Sequence, residues 1–447
     1  MNFLLNVNLV FLSYVAQYLL GFALTVVVTR ELGPEGRGLY TLFLLAVSIA
    51  QAVLGLGVGV AAIYHIGKKR FPMRDVMSNA QTLVLASALV SGLLVLLAWP
   101  IFGDRLAEHD VPYWLFALAV PLFLDFTFLT MVLQGSNRFL AMNFLVLLQP
   151  LVMLTLVGIG LTAADLGVTN VLWLWTLATA LAVAAGLALV GLRNLHLPTI
   201  LRPKWEVLRE EVKFGVQGQV GNLLQLLNYR LDSFLVLAFV NAAGVGLYAV
   251  GVAFSESVWF IANAVAVVLV PRLTGAEAGE AARLTPVMCR NTLLVSAVAA
   301  VGVGLLSPVL VEAFFGSDFS GAVPAVLWLL PGTVALSGTK ILAGYIFSQG
   351  RPLINSAVAT VTLATTITLD LALIPPFEIA GAAAASSVAY GLSLVLSLVA
   401  YRRLSGQTAW GAVLPQSSDI RLYVGAARNL AAWFTTAGAA TRAPRAP

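Results

Sequence analysis

A single cysteine, Cys289, leaves this chain of 447 residues without an internal disulfide. The three histidines, His65, His109 and His196, fall at the ends of apolar segments or between them. That placement offers no cluster with metal-ligand spacing and no buried proton relay. Charge is scarce as well: Asp, Glu, Lys and Arg make up 10% of the chain against 60% hydrophobic residues, and the mean hydropathy is +0.94. A water-soluble fold is excluded, because that composition would leave far too much apolar surface in water. The pI of 9.4 does not imply nucleic acid, since the cations cluster between apolar stretches, where they orient helices and meet anionic lipid.

What the chain has in abundance is apolar length. Twelve segments stand out, near residues 7–30, 39–66, 79–103, 112–134, 143–164, 168–192, 214–239, 243–270, 287–315, 321–349, 354–375 and 378–401. An α-helix needs about 20 residues to cross about 30 Å of hydrocarbon. The expectation is an all-α polytopic membrane protein with twelve transmembrane helices. Twenty of the 25 Lys and Arg residues lie in the even-numbered gaps and the tail. The positive-inside rule then puts both termini in the cytoplasm. The first segment lacks a basic leading region and a small-residue cleavage site, so it reads as a retained helix.

The two sets of six segments look like copies. Gly36-Arg37-Gly38-Leu39-Tyr40 opens segment two and Gly244-Val245-Gly246-Leu247-Tyr248 opens segment eight. Phe102-Gly103-Asp104 and Gln134-Gly135 recur as Phe315-Gly316-Ser317-Asp318 and Gln349-Gly350. Two six-helix lobes, 1–193 and 214–402, should therefore be related by a pseudo-twofold axis along the membrane normal. Between them, 194–213 reads as a cytoplasmic linker in which Trp205, Leu208 and Val212 share one face of a short interfacial helix. The tail, 403–447, carries an amphipathic pattern over 419–434 with a Ser417-Ser418-Asp419 cap.

Ionisable groups at bilayer depth are costly, so each is a candidate for function. Segment seven is the most polar: Gly218, Gly221, Gln225, Asn228 and Asp232 follow one helical stripe, with Arg230 beside it. Segment ten carries Thr333, Ser337, Lys340, Gly344 and Ser348. Segment one adds Gln17, at the position in its copy that corresponds to Gln225. Asp125, Glu256 and Asp370 are further buried acids. The expected substrate contacts are Arg230, Lys340, Gln225, Asn228 and Gln17, and the expected ion-coupling groups are Glu256, Asp232, Asp125 and Asp370. Two blander readings stand beside these: stripes of small residues pack helices, and Arg230 or Lys340 pairs with Asp232, Asp125 or Glu256. The Gly-rich run Gly55-Leu56-Gly57-Val58-Gly59 reads as close packing inside a helix, since no strand precedes it.

At these residues the chain resembles a family. Arg30-Glu31-Leu32-Gly33-Pro34-Glu35-Gly36-Arg37-Gly38-Leu39-Tyr40 is similar to the first-loop signature of bacterial polysaccharide (O-antigen) repeat-unit flippases of the multidrug/oligosaccharidyl-lipid/polysaccharide exporter superfamily. Tyr229-Arg230-Leu231-Asp232, and Leu369 to Pro375 with Gly381-Ala382-Ala383, agree with its seventh, eleventh and twelfth helices. The resemblance implies a plasma-membrane transporter, not an enzyme. It would move an undecaprenyl-pyrophosphate-linked glycan outward by alternating access, without a cofactor and with a proton or sodium gradient as the drive. A polysaccharide polymerase, glycosyltransferases and membrane lipids are the implied partners. A multidrug exporter of the same superfamily is the first alternative, and a membrane glycan polymerase or glycosyltransferase the second.

Overall fold

The computed structural model describes residues 3–108, 112–163, 165–191, 203–275, 278–416 and 419. Every element of secondary structure among them is helical. The helices are α1 (Phe3–Leu54), α2 (Val58–Gly67), α3 (Met73–Glu108), α4 (Leu115–Gly135), α5 (Phe139–Ala163), α6 (Val168–Val190), α7 (Trp205–Phe239), α8 (Ala242–Ser257), α9 (Trp259–Gly275), α10 (Ala278–Phe315), α11 (Val323–Ser348) and α12 (Pro352–Ser405). Eight helices among the described residues are long and apolar enough to cross a membrane, or nine if α8 and the start of α9 count as one bent span. This is a multi-pass, all-helical membrane protein.

Two elements are broken within their length. At a rise of 1.5 Å per residue, the 52 residues of α1 would extend about 78 Å if straight. A bilayer with its headgroups is only about 45 Å thick. Gly33, at φ 62° and ψ −177°, breaks α1 just before Pro34. In α12 the break is at Glu378, with φ 51° and ψ −132°, two residues after Pro375-Pro376. Proline removes a backbone donor and ends the helical run at both places.

The breaks also correct three readings of the sequence. Residues 39–66 do not form one helix: α1 ends at Leu54, Leu56 and Gly57 have φ of 48° and 70°, and α2 begins at Val58. The glycines there permit a left-handed turn that an unbroken apolar pattern conceals. Residues 243–270 are likewise interrupted, with a 45° bend between α8 and α9. There the Ser257 hydroxyl donates to the Phe254 carbonyl at 2.6 Å and tight i→i+3 bonds link Ser255 to Val258 and Val258 to Ile261, which diverts the α-helical ladder. The linker helix is not separate, because α7 runs without a break from Trp205 to Phe239. Its buried face holds Val207, Leu208 and Glu211 while Trp205 is exposed. The tail helix expected over 419–434 lies outside the described residues except for Asp419.

The chain divides into two compact units. One comprises Met1–Val252, Ser307–Ala325 and Leu363–Ala385, and the other Ala253–Leu306, Val326–Thr362 and Ser386–Pro447. In the first, α4 packs against α2, α3 and α6, α1 against α5, and α7 against α1, α2 and α3. Its core is aliphatic with Trp175 and Tyr40 inside. In the second, Leu269, Leu273, Cys289, Leu293, Ile341, Tyr345 and Tyr401 form the core. Burying the Cys289 side chain there keeps the one thiol away from partners.

Candidate functional site

In the first unit, the polar stripe of α7 becomes more enclosed along its length: Gly218 is exposed, Gly221 and Gln225 are half-buried, and Asn228 and Asp232 are buried at 3% and 2% exposure. A polar face on a helix of this length is enclosed by protein rather than lipid. Asp232 accepts the backbone N–H of Ser233 at 2.8 Å and the hydroxyl of Tyr248, which closes the second Gly-Val-Gly-Leu-Tyr motif. The repeated motif thus supplies a direct partner for an intramembrane acid. Asp370, from α12, is 0% exposed and neither carboxyl oxygen has a hydrogen-bond partner. Asp232 lies close enough to repel its charge. Two of the expected coupling acids are therefore brought together, and the pair holds one negative charge far more readily than two.

Arg230 is half-buried on the same helix, within electrostatic range of Arg37 from α1. Arg37 was assigned to a loop by its place between apolar segments. It is instead half-buried in helix, its Nε has no hydrogen-bond partner, and its guanidinium lies 5.5 Å from the Tyr40 ring centre. Its position inside the repeated motif, opposite Val245 in the other copy, was the available signal. Two guanidinium groups within electrostatic range repel each other, and an anion beside them would relieve that repulsion. Gln17 is half-buried in α1.

Asp125 is buried at 5% exposure, and its Oδ1 accepts from Gln81 Nε2 at 2.8 Å. A neutral amide from α3, not a lysine or arginine, is its hydrogen-bond partner. A small cavity of about 30 Å³ lies between α1, α2, α3, α4 and α7, with Gln51, Gly57, Thr127, Met131 and Gln219 in its wall. None of the expected site residues lines it.

In the second unit Lys340 donates to Asn263 Oδ1 at 2.9 Å and stands 4.4 Å from the centre of the Trp259 ring. Glu256 adds attraction at longer range. An aromatic face and an amide oxygen hold a cation without cancelling its charge. The rest of the α11 stripe is packing surface. Thr333 and Ser337 are buried and return their hydroxyls to the carbonyls of Leu329 and Thr333 at 2.7 and 3.0 Å. Gly332 sits against Ser387, and Gly338 against Leu293 and Leu394.

Two charged groups that the sequence pattern assigned elsewhere have specific partners. Asp419 receives two bonds from the Arg290 guanidinium, at 2.7 and 2.6 Å, while Arg290 also donates to the Gly411 carbonyl at 3.1 Å. These hydrogen bonds hold the Asp419 carboxyl down at about 2. Glu211, in the segment expected to form a short interfacial helix, is 0% exposed. Neither was legible from local spacing, since the partners of Asp419 and Glu211 lie 129 and 132 residues away.

The family described as "Polysaccharide biosynthesis protein" matches residues 3–277 of the chain. No curated protein sequence matches it. Solved structures share its fold. An inward closed conformation of the lipid II flippase MurJ superposes with a TM-score of 0.68 at 13% identity, covering 89% of this chain and 90% of the other. An inward-facing multidrug resistance MATE family transporter of the MOP superfamily gives 0.61 at 14% identity, covering 87% and 95%. A Vibrio cholerae MATE transporter gives 0.58 at 15% identity, covering 91% and 98%.

Proposed function

From the chain's membership of the polysaccharide biosynthesis protein family, we propose that it is a lipid-linked oligosaccharide flippase. It carries undecaprenyl-pyrophosphate-linked repeat units from the cytoplasmic to the outer leaflet of a bacterial plasma membrane by alternating access. The observation that carries this reading is the polar stripe of α7 with Arg230 and Arg37 beside it. A glycan with a diphosphate loses several kcal/mol for each polar group left unsatisfied in lipid. A polar path lined by Gln, Asn and Arg removes that barrier, and arginine can hold two phosphate oxygens at once. Lys340, on its aromatic and amide support, is a further cation suited to a phosphate.

Twelve crossings in two lobes of six, with both termini cytoplasmic, are part of the same reading. The broken helices α1 and α12 each count as two crossings, α8 with α9 as one, and α7 as one although it is too polar to qualify by hydropathy. The acids Asp232 and Asp370, with Glu256 and Asp125 as further candidates, couple the cycle to a proton or sodium gradient.

Multidrug transport is the competing reading, since two of the compared structures are multidrug or MATE transporters. Cations enclosed among the helices disfavour it. The experiment is flipping of a fluorescent undecaprenyl-pyrophosphate-linked oligosaccharide in proteoliposomes. Arg230→Ala should abolish flipping while leaving the protein level intact, and Arg230→Lys should recover it only in part, because bidentate geometry is lost. Flipping that persists in Arg230→Ala, or export of a cationic dye by the wild type in its place, overturns the reading.

A further inference from the structure

The start of α7 closes on the rest of its unit at two adjoining places, one turn apart. Gly215 and Gly57 meet backbone to backbone, so that a Cβ on either would overlap the carbonyl of the other. One turn earlier Glu211 enters the contact with α3. It is 0% exposed, its Oε2 accepts from Asn79 Nδ2 at 3.0 Å, and its Oε1 has no hydrogen-bond partner.

None of the described groups around Glu211 neutralises it. From α3, Asp75 repels it. Lys204, the cation nearest that acid, is engaged with Asp75 Oδ2 at 2.7 Å and gives its backbone N–H to Asn79 Oδ1 at 3.0 Å. On α7 itself Glu210 is paired with Arg70, from the loop after α2. His65 of α2 is buried among the Phe71 and Phe214 rings with neither nitrogen bonded. The part of α1 that reaches this end, from Tyr40 to Leu54, has no charged residue.

A carboxylate enclosed this way, with one oxygen bare and no counter-charge among the described residues, is stable only when it carries a proton. We propose that Glu211 is a proton-binding switch: closing α7 against α3 takes up a proton on its carboxyl, and opening this junction to water releases it. Burial pushes the carboxyl from 4.5 up to about 8, with repulsion from Asp75 adding to the rise against the hydrogen bond from Asn79. The closed junction is therefore fully favoured below about 4.5 and loses that advantage as pH rises to about 8, by up to about tenfold in its equilibrium for each pH unit. The proposal rests on the transport reading only for what the closure serves. The experiment reads the closure itself.

Spin labels at Arg74→Cys on α3 and Arg209→Cys on α7, both exposed, in a Cys289→Ser background, report the separation by pulsed dipolar spectroscopy in nanodiscs without substrate. The short-distance population should fall as pH rises from about 5 to about 8. Glu211→Gln, which keeps the shape of the protonated acid, should hold the short distance at every pH. Asn79→Ala removes a bond that favours ionisation and should move the wild-type midpoint upward, which keeps the proposal testable if the Gln variant fails to accumulate. A distance independent of pH in the wild type, or a Gln variant that follows the wild-type curve, overturns the proposal.

Discussion

Gly38 and Gly246 press against each other reciprocally. A Cβ on Gly38 would stand 3.1 Å from the Gly246 amide nitrogen, and one on Gly246 would stand 3.0 Å from the nitrogen of Gly38. Each would also overlap a carbonyl beside the partner, that of Ala242 or Pro34. Glycines of the two motifs that repeat along the sequence thus meet in the fold.

Gly38→Ala and Gly246→Ala should each destabilise the protein by about 1–3 kcal/mol or more, because backbone must move to admit the methyl group. Gly21→Ala, with open space around its Cβ position, should leave stability unchanged. Thermal unfolding in detergent, read by tryptophan fluorescence, distinguishes them. Equal melting temperatures in all three variants would contradict the contact.

Removing one partner of the buried Arg290–Asp419 pair should cost about 3–5 kcal/mol locally, since the other charge is left enclosed. Asp419→Ala should therefore loosen the chain after Gly406. Limited proteolysis should cut between 407 and 419 faster in this variant than in the wild type. The carboxyl is held at about 2, below its ordinary 3.8, so the same loosening should appear in the wild type as pH falls from about 4 towards about 2 and be absent above that window.

The all-helical, multi-pass class was legible because apolar length is a local property of a chain. The polar stripe of α7 was legible for the same reason. Leu56-Gly57 and Ser255 to Ser257 were not, since a helix can break without interrupting its hydrophobicity when the backbone bonds are taken up nearby. Asp419 has the spacing of a helix cap and Glu211 lies in an expected interfacial helix, yet long-range partners decide their surroundings. Arg37 was counted among loop cations because the break at Gly33 is too short to make a loop.

Asp370→Asn should leave the protein folded and at least as stable, because it removes an unpartnered acid that faces Asp232. Gradient-driven flipping in proteoliposomes should be lost while binding of the lipid-linked oligosaccharide persists. Glu256→Gln provides the comparison: if it alone abolishes the drive and Asp370→Asn does not, coupling belongs to the half-buried acid of α8.

Cysteine labelling tests the orientation. A cysteine at Asp165, exposed before α6, should react with a membrane-impermeant maleimide from outside intact cells. One at Arg209 should react only after permeabilisation. Ala242 is a poor reporter, being buried at 9% exposure against Gly38. The inverse labelling pattern would reverse the assigned direction of transport.

The reciprocity of Gly38 and Gly246 bears on how such a chain can change over generations. When two identical six-helix chains meet about a twofold axis, every substitution at the contact strikes twice. Joining two such chains into one polypeptide would remove that coupling, so that one half could acquire a charge that the other could not bear. Arg37 beside Gly38, against Val245 beside Gly246, is a difference that a symmetric pair of identical chains cannot possess.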